Sequence, residues 1–156
     1  MPSTRRNCIT QAIAILAAVA PAGGYVNDLT ASGTVSIAQE TVQRRRESGA
    51  PIAVRVRDME EEIERASVTG DLMQSRLRLA VELMRKSPAD VAIVDAMNDL
   101  IADVRLAIDR NTNLNGVAVD AWVAAIEPPA YDFDQQDGTC TMYVDVLYYL
   151  TQGAGV

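Results

Sequence analysis

The chain has 156 residues, 49% of them hydrophobic and 22% charged, and a formal net charge of −7. Its length predicts one domain, spanning residues 1–156, whose core needs no metal or disulfide. The absence of histidine removes the commonest general base and metal ligand. The negative charge disfavours nucleic-acid binding, because neutralising phosphates needs an excess of lysine and arginine. We therefore expect a protein that is not an enzyme and uses no cofactor or metal.

The first predicted element is a helix that begins at Ser3 or Thr4 and ends near Ala20, before a proline and a glycine pair. Small residues before Ala20 and the preceding Arg5-Arg6 pair also resemble an export signal. The stretch is short of the roughly 20 residues that span a membrane. An apolar stripe at helical spacing favours a core helix instead, and it comprises Ile9, Ile13, Leu16 and Ala20.

Two strands are predicted in the middle of the chain. Residues 52–56 alternate apolar and other side chains, and residues 74–85 do so more clearly, with Leu79 on one face and Arg78 on the other. Residues 35–37 fit either a short strand or part of a loop-rich connection, and their polar neighbours favour the loop.

The acidic run at residues 58–64 lies between these two strands. Its carboxylates suit a hard cation, but the spacing lacks the pattern and the central glycine of a calcium loop. A solvated helical turn with an ion pair between Glu61 and Arg65 is the simpler interpretation.

The last third of the chain predicts a helix followed by a β-hairpin. Ser87, Pro88 and Asp90 have the spacing of a helix N-terminus. Residues 117–126 and 140–150 then alternate with a period of two. The helix carries an apolar stripe in steps of three and four, formed by Ile93, Met97, Leu100, Val104 and Ile108.

The order of elements predicts an α+β fold. Strands joined by short turns pair antiparallel, so we expect a four-stranded, mostly antiparallel sheet on which the N-terminal helix and the central amphipathic helix pack. Cys8 and Cys140 each fall on an apolar face, which favours buried free thiols over a disulfide.

The last strand is apolar on both faces, so it needs a second cover, either from the chain's own helices or from another subunit. The only basic run could face the acidic run of a neighbouring copy. These two observations predict a subunit or partner interface formed by Arg44, Arg45, Arg46, Glu60, Glu61, Glu62, Tyr143, Leu147 and Tyr149.

In the order of its elements, the chain resembles the tail terminator and tail-completion proteins of long-tailed bacteriophages. The resemblance covers nearly the whole chain and involves the helix at residues 9–20, with the Gly23-Gly24-Tyr25 sequence after it, and the strand at residues 51–56. It continues through the strand at residues 75–84, the helix at residues 99–108 and the terminal strand at residues 142–150.

The resemblance implies a virion protein that assembles in the host cytoplasm. Such proteins form a ring, usually a homohexamer, on the head-proximal end of the tail tube, stop tube growth and join the tail to the head connector. The partners implied are a second copy, the tail tube protein and the connector or stopper protein, and DNA passes through the lumen without specific binding. No membrane is involved. A head-side stopper or adaptor of the phage neck and a secreted α+β binding domain are the alternatives.

Overall fold

The computed structural model describes residues 4–37, 49–66 and 72–151, which form an α+β fold as predicted. The elements in chain order are α1 (Thr4–Ala17), β1 (Val35–Ile37), β2 (Ile52–Arg65), β3 (Leu72–Lys86), α2 (Ile93–Asp109), β4 (Asp120–Ile126), β5 (Ala130–Asp132) and β6 (Asp137–Thr151). Short 3-10 helices occupy Pro21–Gly23 and Leu114–Gly116.

The sheet of the described residues has six strands, so the prediction of four is wrong. Its order is β1-β2-β3-β6-β4, with β5 also paired to β6. β1 runs parallel to β2, and every other pairing is antiparallel. The two additional strands have three residues each. So short a segment shows no alternating pattern, and its conformation depends on the longer strand beside it.

The centre of the sheet is the long pairing of β3 with β6, which extends from Leu72 opposite Thr151 to Lys86 opposite Asp137. Alternate residues of both strands point into one core, which confirms the predicted strand faces. The buried residues on this core face include Leu77, Leu79, Leu83, Met142, Val144, Val146 and Tyr148.

Both helices pack on the core face. The five residues of the predicted stripe on α2 are all at most 2% exposed, which confirms the stripe. Helix α1 is a core helix as predicted, but its predicted stripe is wrong except at Leu16, because Ile9, Ile13 and Ala20 are only half-buried. The buried residues of α1 are Cys8, Ala12, Ile15 and Leu16. Burying a large aliphatic side chain contributes about 1.5–3 kcal/mol, so this helical layer supplies much of the stability. In the described part of the chain, no helix is both long and apolar enough to cross a membrane.

Both helices differ from the predictions at one end. Helix α2 begins at Ile93 rather than at Ser87, because a turn at residues 89–90 separates Ser87 from the helix. The backbone amide of Ser87 donates to the Gln136 carbonyl at 2.8 Å, and the Ser87 hydroxyl donates to the Val91 carbonyl. Helix α1 ends at Ala17 rather than near Ala20.

The buried carboxylate of Asp103 ties the loop after the first 3-10 helix to α2. It is 4% exposed and accepts hydrogen bonds from the backbone amides of Val26 and Asn27 and from the Asn27 side chain. Arg110 makes a second attachment, because it donates to the Gly23 carbonyl at 2.8 Å. These bonds satisfy backbone groups that the core would otherwise leave without partners.

Both cysteines are buried free thiols, as predicted. Burial, with a smaller contribution from Glu61, raises the pKa of Cys8 to about 11. Burial, with a smaller contribution from Glu127, raises the pKa of Cys140 to about 11. Both thiols are therefore protonated at neutral pH and are poor nucleophiles.

Candidate functional site

The candidate site is the outer face of the sheet, the side opposite α1 and α2. The register places residues of adjacent strands in rows across this face. One row consists of Glu62, Arg76, Leu147 and Asp120, and the next contains Arg78, Asp145 and Trp122.

A bulge in β2 decides which acidic residues reach the outer face. The register shifts between Asp58 and Glu61, so that one extra residue is inserted opposite β3. This insertion directs Glu62 to the outer face and Glu61 towards the core side. The acidic run is thus part of a strand, and the predicted helical turn is wrong. The predicted pair of Glu61 with Arg65 is also wrong, because residues four apart in a strand are about 13 Å apart.

Oppositely charged side chains on neighbouring strands form a charge ladder on the outer face. Arg78 binds the Asp145 carboxylate through two nitrogens, at 2.8 and 3.1 Å. This hydrogen bonding is the main reason that the pKa of Arg78 is raised. Arg76 lies 2.5 Å from Glu62, and Glu60 lies 3.9 Å from Arg78. Since the Asp145 side chain is only 5% exposed, the Arg78–Asp145 pair is the inner part of the ladder.

Beside the ladder lies an apolar strip formed by Trp122, Tyr143, Leu147 and Tyr149. Tyr149 is 43% exposed and the other three are half-buried. The Arg78 guanidinium is 5.9 Å from the centre of the Tyr143 ring, and the Tyr143 hydroxyl donates to Glu127 at 2.6 Å. That hydrogen bond is the main reason that the pKa of Tyr143 is raised. Aromatic groups with one polar end, beside arginine, are typical of protein interfaces.

On the core side, Glu61 joins three elements. Its carboxylate accepts hydrogen bonds from Ser75 and Tyr148 and lies 3.2 Å from Arg5 of α1. Burial, followed by the bond to Glu61, raises the pKa of Tyr148 to about 12. The contact with Arg5 fastens α1 to the sheet. Ser75 and Tyr148 are at most 1% exposed, so the cluster offers a substrate no access.

The outer face suits contact better than small-molecule binding. A depression over the ladder, lined by Glu60, Glu62, Arg76, Arg78 and Asp145, has a volume of about 90 Å³. Drug-sized ligands occupy pockets of roughly 300–1,000 Å³. Among the described residues, no three cysteine, aspartate or glutamate side chains come together as a metal site.

The structure brings together five of the nine predicted interface residues. Glu60, Glu62, Tyr143, Leu147 and Tyr149 share the outer face, whereas Glu61 points to the core side. The basic run, Arg44, Arg45 and Arg46, lies outside the described residues.

Four residues that organise this face were not among the predicted interface residues, namely Arg76, Arg78, Asp145 and Trp122. The signal available was charge of opposite sign at alternate positions of two strands. That signal has no meaning until the register is known, because it does not indicate which residues face each other.

In comparisons with known proteins, no protein-family model and no curated protein matches this chain.

Proposed function

We propose that the protein is a structural virion subunit, a ring-forming tail terminator that caps the head-proximal end of a phage tail tube and joins it to the head connector. The supporting observation is the outer face, where a half-exposed apolar strip lies beside an ordered charge ladder. Within the described residues, both helices pack on the opposite side. Aromatic groups beside arginines and acids on one side of a sheet are typical of a surface that another protein covers.

In this proposal the outer face contacts the neighbouring copy in the ring. Leu147 and Tyr149 supply apolar area, and the ladder fixes the relative orientation of the subunits, because misaligned charges would repel. The arginine run at residues 44–46 of one copy faces acidic residues of the next. The assembly acts by contact alone, without turnover of a substrate.

The first test measures assembly with purified protein. Light scattering and negative-stain electron microscopy should show rings, alone or after addition of tail tubes. Leu147→Glu together with Tyr149→Glu should reduce assembly at least tenfold and leave the circular dichroism spectrum unchanged. Val26→Glu is the matched control, because Val26 is an apolar residue outside the sheet that is already 65% exposed.

The second test measures the role in the particle. Phage lacking the gene should make DNA-filled heads, and their tails should be abnormally long or unattached. Tails of normal length that are properly joined to heads would refute the proposal. Normal tails without attached heads would instead favour a head-side stopper.

A further inference from the structure

A second surface lies at the end of the sheet where β5 turns into β6. This Phe133 turn, residues 132–137, carries the only phenylalanine of the chain. Phe133 is 63% exposed. Its ring lies at the tip of an ordered turn, where a partner can reach it.

The turn is held rigidly. The Asp132 carboxylate accepts hydrogen bonds from the backbone amides of Asp134 and Gln135, both at 3.1 Å. Gln136 adopts a left-handed conformation with φ of 52°, and its side-chain amide donates to the Phe133 carbonyl at 2.5 Å.

The aromatic ring of Phe133 is supported as well. Tyr131 stacks on it at 5.8 Å between ring centres. Glycine at position 138 allows this close packing, because a Cβ atom there would lie 3.0 Å from the Tyr131 ring. A group already fixed in position loses little entropy when a partner binds, which is the property of a binding anchor.

The surroundings of the turn are apolar and acidic. Val91, which is 37% exposed, belongs to the adjacent turn that Ser87 links to Gln136. The segments 86–95 and 127–137 contain one basic residue, Lys86, and six carboxylates. The six are Asp90, Asp95, Glu127, Asp132, Asp134 and Asp137. Two copies that met through this end would bring like charges together, which disfavours self-association here.

We propose that the Phe133 turn docks against an apolar segment flanked by lysine or arginine on another protein. Phe133 packs on this segment and Val91 extends the apolar contact. Three exposed carboxylates, those of Asp90, Asp95 and Asp134, pair with the flanking basic residues. The outer face plays no part in this contact, so the proposal does not depend on ring formation.

The single phenylalanine allows a direct test. Protein labelled with 4-fluorophenylalanine carries one fluorine label, at position 133, which 19F NMR observes. The probes are two synthetic peptides with the same leucine content, one rich in lysine and one rich in glutamate. The lysine peptide should shift the 19F signal saturably and bind more weakly at higher salt, and the glutamate peptide should leave the signal unchanged.

Variants identify the residues responsible. Fluorescence anisotropy of the labelled lysine peptide should show at least tenfold weaker binding to Phe133→Ala and a similar loss for Asp134→Lys. Val119→Ala, an apolar position 52% exposed at the other end of the sheet, should bind as the parent chain does. Circular dichroism checks that each variant is folded.

Three results would overturn the proposal. The first is that neither peptide, or both peptides equally, shift the 19F signal. The second is that the lysine peptide binds without affecting position 133. The third is a shift that depends only on protein concentration, which would make a second copy the occupant.

Discussion

The two faces of the sheet belong to the same strands but are stabilised differently. On the core face of β3 and β6, alternate residues are apolar and fully buried under the helices. On the outer face, the same strands carry arginines, acids and half-exposed aromatic residues, together with two fully buried apolar residues, Ala80 and Met84. Stability depends mainly on the first face, because burial of apolar area is the dominant favourable term in folding. Oriented charges add specificity more than affinity, so the second face is suited to selecting a partner.

The largest effect is expected from Leu79→Asp, on the core face. Leu79 is fully buried, and a carboxylate there has no partner to compensate its desolvation. We expect a loss of more than about 4 kcal/mol in the free energy of unfolding, measured by urea denaturation, or no folded protein at all. Arg76→Ala, on the outer face, should change the free energy of unfolding by at most about 1 kcal/mol. Similar losses for both variants would contradict the assignment of faces.

Asp103→Ala tests the polar contact on the helical side. It leaves two backbone amides and the Asn27 side chain without their acceptor, at a cost of about 2–4 kcal/mol. Asp109→Ala is the control on the same helix, because the Asp109 side chain is 55% exposed. Thermal unfolding compares the two variants, and equal melting temperatures would mean that the Asp103 contact is energetically unimportant.

Two pairs of the ladder distinguish its inner and outer parts. Arg78→Ala leaves the buried Asp145 carboxylate without its two hydrogen bonds, so we expect a loss of about 1–3 kcal/mol. Arg76 and Glu62 are both well exposed, at 47% and 61%, and their pair is worth at most about 1 kcal/mol. Double-mutant cycles in urea measure both coupling energies. A larger coupling energy for the Arg76–Glu62 pair than for the Arg78–Asp145 pair would show that burial does not decide which pair is stronger.

A different effect, a loss of stability, is expected only at high pH. The pKa values of Cys8 and Cys140 are raised from 9.0 to about 11, and that of Tyr148 from 10.0 to about 12. The folded state therefore holds these protons more tightly than the unfolded state does. The contribution of these three groups to the free energy of unfolding is complete below pH 9 and decreases as the pH rises through 11 and then 12.

Urea denaturation between pH 8 and 11 measures this dependence. Cys8→Ala combined with Cys140→Ala should flatten the decrease between pH 9 and 11. On the outer face, Tyr143→Phe is the control, because the pKa of Tyr143 is also raised. A decrease that only Tyr143→Phe removes would place the alkaline sensitivity on the outer face.

Periodicity alone predicted the α+β class, the stripe of α2, the faces of β3 and β6 and the two buried thiols. These features were accessible because burial repeats with the period of the element, every two residues in a strand and about every 3.6 in a helix. The start of α2 was misplaced for the opposite reason. Ser87 has the local signature of a helix cap, but its hydrogen bonds go to Gln136 and Val91, and the bond to Gln136 is a contact across the sheet.

The candidate site depended on information that no local pattern contains. The acidic run has the same composition in a helical turn as in a strand, and it became a strand because β3 pairs with it along its length. The bulge between Asp58 and Glu61 then decided which of three consecutive glutamates lie on the outer face. The sequence determined which residues are apolar and how they repeat, and hence the core. Only the tertiary structure decided which charges meet, because strand register relates residues far apart in the chain.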